Sequence, residues 1–292
     1  MTIAAGFLNQ DGVLLASDTL MTDGFTASYR SKIIPIYFAD GEIIFAFCGT
    51  AAFADSVVQR CQDLFHTYKG PQRSIAQIIQ SVRKQWLSMF RELHGSNITD
   101  VKADQIICAV HSKRDKTTKL CWSSNENLAE SVDGVSFIGS GSETAKYVVG
   151  SHFPFSSTGS LSRRRTFEIA INAVSRVKQF MPTAVGGNLI AINLNHDGSE
   201  LVYGQTDIER IESHTKDFDD ITREMIINLM DYTTDPGGFN EEFDRLSERI
   251  KGIRFRWEMQ LSDAARVDIP PIEITHALWN GQEDWRKAQS AQ

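Results

Sequence analysis

A chain of 292 residues, 41% hydrophobic and 23% charged, is long enough to bury a sizeable core in one large domain or two small ones. Its net charge of −7 argues against nucleic acid as the main ligand, because neutralising phosphates takes a basic surface. No apolar run approaches the ~18 residues of a membrane span and no basic-then-apolar leader precedes Thr2, which argues against a membrane protein and for a cytoplasmic one.

In chain order, apolar runs over residues 3–8 and 13–16 flank Asp11-Gly12, a strong hairpin signal. A polar connection over 19–31 leads to strands at 33–37 and 43–47, with Asp40-Gly41 as the turn between them. From Ala51 the spacing becomes helical through Phe53, Val57, Cys61 and Leu64, until Gly70-Pro71 ends the element. Ser74 caps a second predicted helix whose apolar stripe runs from Ile75 to Leu93. Strands follow at 105–111, 119–122 and 135–138, the last running into Gly139-Ser140-Gly141-Ser142 and a short helix from Glu143. A longer helix starts near Ser162 and stops before Pro182; Gly186-Gly187 then introduces strands at 188–194 and 201–203 around Asp197-Gly198. The four cysteines (Cys48, Cys61, Cys108, Cys121) lack C-x-x-C spacing and read as reduced core thiols, which makes the Asn97-Ile98-Thr99 sequon a chance match.

This order predicts an α+β fold over residues 2–205: two antiparallel sheets face to face with helices outside, a four-layer αββα sandwich. Residues 206–292 read as a helical C-terminal extension, with stripes at 221–230 and 243–250 separated by Asp235-Pro236-Gly237-Gly238. An interface or a stabilising appendage is expected there rather than a substrate-selecting element.

The N-terminal hairpin carries chemistry. Removal of Met1, easy ahead of a small residue, leaves Thr2 with both a hydroxyl and a free α-amine. With a pKa near ~8 the amine has a neutral fraction at pH 7 that can act as base, and a Thr hydroxyl beside it is an activated nucleophile. Lys32 is either a solvated edge charge or a buried cation that keeps the amine neutral and stabilises a developing alkoxide. A buried Lys needs a counter-ion, and Asp18 is the natural one. A two-residue turn at Asp11-Gly12 sets Asp18 opposite Ala5, on the face away from Thr2, so Asp18 is expected to act on Thr2 only through Lys32. Gly49 is either a helix-entry glycine or an oxyanion donor through its N–H, with no Cβ to keep substrate away. The seven histidines are scattered and no H-E-x-x-H occurs, so neither metal nor cofactor is expected. The run Arg163-Arg164-Arg165 opens a helix against its dipole, as a subunit contact or as a solvated turn.

Thr2, the run DGVLLASD ending in Asp18, Lys32 ahead of its strand, Gly49 followed by small residues and Asp55, and Gly139-Ser140-Gly141-Ser142 before a helix stand in one order and at one spacing. In this the chain resembles the β-type subunits of proteasomes, N-terminal-nucleophile threonine peptidases, and their bacterial proteasome-like members. The resemblance implies the same αββα fold and peptide-bond hydrolysis without a cofactor. It assigns catalysis to Thr2, Asp18, Lys32, Gly49 and Ser140, with Ser140 bonded to the Thr2 amine, and substrate binding to Met21 and Phe47. It also implies protein or peptide substrates, a homo-oligomeric ring or coil, and an ATP-dependent unfoldase partner. One departure stands out: Pro182 and Val185 occupy places where many active members carry an Asp and a Ser, and Thr183 is the hydroxyl nearby. A non-catalytic structural subunit and an amidase acting on small amides are the other readings. Retention of Met1 marks the first, and turnover without any ring marks the second.

Overall fold

Alternation along β1 (Ile3–Asn9) sends Ile3, Ala5 and Phe7 to one face and Ala4 and Leu8 to the other, and both faces are covered. The computed structural model describes residues 2–22, 27–38, 41–67, 84, 88, 105–113, 116–124, 127–150, 159–230 and 236–264. The predicted helix over 74–93, apart from residues 84 and 88, lies outside the described residues, as do Met1, the sequon at Asn97 and the chain beyond residue 264.

β1 pairs with β2 (Gly12–Asp18) in a register that matches Asn9 with Gly12 and Ala4 with Ser17. The two-residue turn is therefore Gln10-Asp11, one residue earlier than the sequence predicts. Asn9 extends the strand because its buried amide donates to Asn193 Oδ1 at 2.8 Å. Gly12 belongs to the sheet: a Cβ there would lie 2.0 Å from the Leu194 carbonyl oxygen of the next strand. That close approach, rather than turn conformation, requires the glycine.

On the far side of β2 runs β11 (Leu189–Asn195), followed by β12 (Glu200–Val202), and β10 (Val135–Gly139) flanks β1. The first sheet thus has the order β10-β1-β2-β11-β12. β5 (Ile33–Phe38), β6 (Gly41–Cys48), β7 (Gln105–Ser112), β8 (Thr117–Ser124) and β9 (Asn127–Glu130) make the second, in chain order. Every pairing is antiparallel, and β3 (Leu20–Thr22) with β4 (Ala27–Tyr29) forms a separate small hairpin.

Three apolar layers hold the sandwich. Between the sheets lie Ala4, Leu15, Ile44, Ala46, Ile107 and Leu194. The outer face of the first sheet is covered by α2 (Ser142–Gly150) and α3 (Arg163–Phe180), through Val149, Phe167, Ala170 and Val174. Ser162 caps α3, its hydroxyl accepting from Arg165 N at 3.4 Å. α1 (Ala51–Thr67) covers the second sheet with Phe53, Val57 and Cys61. This is the four-layer αββα sandwich. Side chains as fully buried as Phe7, Phe45 and Phe53 each contribute about 1.5–3 kcal/mol.

α4 (Gln205–Met230) starts where the predicted extension begins. Its opening turns place Ile208 and Ile211 in the layer above the first sheet, and Asn172 donates to Thr215 Oγ1 at 3.1 Å. The compact unit carrying the sheets runs through Thr215. The second unit begins at Lys216 and comprises the rest of α4 and α5 (Pro236–Ala264). Within it Glu224 pairs with both Arg245 and Arg249, while Ile221 and Leu246 are buried. No helix of the described residues is long and apolar enough to cross a membrane.

Candidate active site

One register position assembles the cluster at the N-terminal end of the sheets. Carried one residue past Ala4–Ser17, the β1–β2 ladder sets Asp18 opposite Ile3. The Ile3 N–H donates to Asp18 Oδ1 at 3.0 Å and the Thr2 hydroxyl donates to the same oxygen at 2.7 Å. This corrects the expectation that Asp18 reaches Thr2 only through Lys32. Alternation does place Asp18 on the Ile3 side, but β2 ends there, and at a strand end the carboxylate is free to bond the residue next along the neighbouring strand.

Lys32, at the entry to β5, completes the set. Its Nζ donates to Asp18 Oδ1 at 2.7 Å and to Thr2 Oγ1. The Phe47 N–H holds the Lys32 carbonyl at 3.1 Å. Asp18 is fully buried and Lys32 is 6% exposed, so neither charge is solvated. Such a pair persists only when the remaining lone pairs are also satisfied, and the Gly186 N–H does this for Asp18 Oδ2 at 3.2 Å. Burial lowers the pKa of Lys32, and the adjacent Asp18 carboxylate partly offsets that. Thr2 Oγ1 therefore sits between a donor and an acceptor, with its proton directed at a carboxylate.

The Gly139–Ser140 turn approaches from the other strand flanking β1. Ser140 Oγ accepts from Thr2 N at 3.3 Å and donates to the Thr2 carbonyl at 3.4 Å. Gly139 has φ +92°, and a Cβ on it would lie 2.2 Å from the Thr2 carbonyl oxygen, so both conformation and space require glycine there. Cys48, at the end of β6, is buried next to Thr2 and Lys32. Burial pushes this thiol up to about 12, so it stays neutral, with the Lys32 cation opposing the shift.

Gly49 follows Cys48 directly at the turn between β6 and α1, exposed and with φ +115°. Met21 is half-buried in β3, opposite Ser28. The Phe47 ring is 5% exposed in the layer under α1, stacked 5.5 Å from Phe45. The structure thus joins Thr2, Asp18, Lys32 and Ser140 in one bonded cluster and sets Gly49 next along the chain. Among the described contacts, Met21 does not touch that cluster, and Phe47 meets it through its backbone. Val185 is buried in the layer above the first sheet, while Pro182 and Thr183 are exposed, so what the stretch 182–186 brings to Asp18 is the Gly186 N–H. Asp55 lies in α1 and pairs with Arg30.

Sequence reasoning missed Cys48, Gln105 and the Gly186 donor. Gln105 accepts from Gly139 N, an arrangement that depends on the β6–β7 register, and residues 49–104 separate those strands in the chain. Among the described residues, no group of three or more His, Cys, Asp or Glu side chains could hold a metal ion.

The family model for the proteasome subunit matches residues 2–191. Among solved structures, the chain is similar to Anbu from Hyphomicrobium sp. strain MC1, at 13% identity over 80% of this chain and 100% of that one, with a TM-score of 0.63. A Gly-1 mutant of Anbu from the same strain gives 14% identity over 77% and 96%, also with a TM-score of 0.63. Anbu from Yersinia bercovieri, described as an ancestral beta-subunit, gives 12% over 73% and 92%, with a TM-score of 0.60. At such identities the likeness shows the fold. Comparison with curated proteins finds no match.

Proposed function

The chain belongs to the proteasome subunit family, and on that premise we propose that it is a threonine-type endopeptidase using Thr2 as its nucleophile within a self-assembled oligomer. The observation that carries this reading is the Thr2 hydroxyl bonded at once to buried Asp18 and buried Lys32.

In this mechanism loss of Met1 frees the Thr2 α-amine. Thr2 Oγ attacks the peptide carbonyl carbon, and its proton passes to the amine. Lys32 stabilises the charge that develops on Oγ, and Asp18 holds Lys32 as a cation. The Gly49 N–H donates to the oxyanion of the tetrahedral intermediate. Collapse breaks the C–N bond, the amine returns its proton to the leaving group, and an ester on Thr2 remains. Water then hydrolyses the ester. Ser140, already on the Thr2 backbone nitrogen, holds and relays the amine proton. In this reading Met21 and the backbone at Phe47 border the substrate cleft, the substrates are proteins or peptides, and an ATP-dependent unfoldase delivers them in the cytoplasm. The helices beyond Thr215 serve assembly: Ile226, Ile227, Phe243, Ile250 and Phe255 are exposed apolar side chains on that unit.

Intact mass before and after a threonine-directed β-lactone tests the chemistry. The expected result is a chain lacking Met1 that gains one inhibitor mass, and a Thr2→Ala variant that gains none and does not cleave fluorogenic peptides. That variant should change stability by less than about 1 kcal/mol. Cleavage at the parent rate by Thr2→Ala would sink the mechanism. The absence of a carboxylate or hydroxyl at Pro182 and Val185 favours, as a second reading, a structural subunit of the same fold. Retained Met1 and no inhibitor adduct would select it.

A further inference from the structure

Gly139 is the point where β10 leaves its pairing with β1, and its N–H finds an acceptor in the opposite sheet: it donates to Gln105 Oε1 at 2.9 Å. Gln105 opens β7 directly across from Cys48 on β6. The two side chains converge on one glycine, since a Cβ at Gly139 would lie 2.9 Å from Cys48 Sγ. Gly139 is therefore packed against both the second sheet and the Thr2 carbonyl. The next residue is Ser140, whose hydroxyl makes both of its bonds to the Thr2 backbone, at 3.3 and 3.4 Å. Both are long for hydrogen bonds involving a hydroxyl, so a small movement of the turn would break them.

We infer that Gln105 is a positioning residue for the nucleophile: its amide oxygen fixes Gly139, and through Gly139 it presents the Ser140 hydroxyl to Thr2. The inference rests on the peptidase reading above and adds a residue from the second sheet to it. The Gly139 N–H is partly shielded from solvent at the strand end, and the acceptor it finds couples the two sheets at the Thr2 end. Among the described hydrogen bonds Gln105 makes none to Thr2, so its effect passes through the turn.

The variant Gln105→Met keeps side-chain length and loses the acceptor; Gln105→Glu keeps an acceptor. On a fluorogenic peptide, Gln105→Met should lower kcat by about tenfold with KM unchanged, as expected for a misplaced catalytic group. It should also shift the acidic limb of the kcat profile against pH, because Ser140 no longer bonds the Thr2 amine. Gln105→Glu should recover most of the rate. In a Ser140→Ala background the added Gln105→Met change should cost nothing further. Parent-like kcat in Gln105→Met, or losses that multiply in the double variant, would overturn the inference. Thr2→Ala measured alongside separates this outcome from failure of the peptidase reading. Should Thr2→Ala retain activity, the reading falls and amide hydrogen exchange at Gly139 and Ser140 decides. Faster exchange in Gln105→Met than in the parent upholds the positioning role, and equal exchange overturns it.

Discussion

The space between the two sheets has two polar ends, and they solve the burial of charge in opposite ways. At one end Lys32 and Asp18 carry opposite charges, 2.7 Å apart, and bond Thr2 between them. At the other end, six positions along β6 from Cys48, Glu42 is buried near Glu200 and Asp197. Tyr37 lies across the ladder from Glu42 and donates to Glu200 Oε2 at 2.9 Å, and buried His111 bonds Thr118 Oγ1 at 3.1 Å. Like charges cannot both be held ionised in such a place. Burial first, then Glu200 and Asp197, push the Glu42 carboxyl up to about 7, against the pull of Lys113. Burial likewise lowers the pKa of His111. One end thus keeps its ions by pairing them, and the other disfavours charge on Glu42 and His111 alike. Among the described hydrogen bonds, the paired end presents the Thr2 hydroxyl to the buried Lys32 cation.

The largest expected effect comes from breaking the pair. Lys32→Ala leaves the Asp18 carboxylate buried with hydrogen bonds but no counter-charge, and losing one member of a buried ion pair typically costs about 3–5 kcal/mol. Urea unfolding of parent and variant at pH 7.5 measures it. An unchanged midpoint at pH 7.5 would make Lys32 a solvated edge charge.

A smaller effect of opposite sign is expected at the far end. The unfolded Glu42 carboxyl releases its proton near 4.5 and the native one near 7, so between those values the native state binds more protons. Stability therefore falls as pH rises through that window and levels off above it, by up to about 3 kcal/mol for a shift of this size. Glu42→Gln keeps the shape of the protonated acid and removes the titration. It should melt higher than the parent at pH 8 and close to it at pH 5. Parallel melting curves against pH for the two proteins would show that Glu42 is ionised in the native state.

Much of this was legible in the residues. The runs around Asp11-Gly12, the switch to helical spacing at Ala51 and the cap at Ser162 mark elements formed by local chemistry, and the strands between them leave little choice but two packed sheets. What escaped depends on partners distant in the chain. The hairpin turn lies one residue early because β11, reached only after residue 188, uses Gly12 and Asn9. Gln105 and Cys48 meet through a register that no local pattern encodes. Phe47 illustrates the limit from the other direction: its place in the chain is next to the site, but strand alternation turns its ring away under α1.

The paired end has one exception to its own rule. Ser17 precedes Asp18 on β2 between Ala4 and Ile190, fully buried, and its hydroxyl has no hydrogen-bond partner among the described residues. Every other polar side chain of the cluster described above is bonded, so Ser17 pays desolvation without return. An unpaired buried hydroxyl costs roughly 1–3 kcal/mol, whereas replacing it by hydrogen opens a void of only one small atom. Ser17→Ala should therefore stabilise the protein by about 1 kcal/mol, raising the melting temperature by roughly 2–4 °C in a chain of this size. The change leaves the Asp18–Lys32 geometry intact, so peptide turnover should stay at the parent level. Thermal unfolding with a parallel activity assay reads both quantities. A lower melting temperature in Ser17→Ala would mean that the hydroxyl is bonded after all, and that the reacting end tolerates no unpaired polar atom.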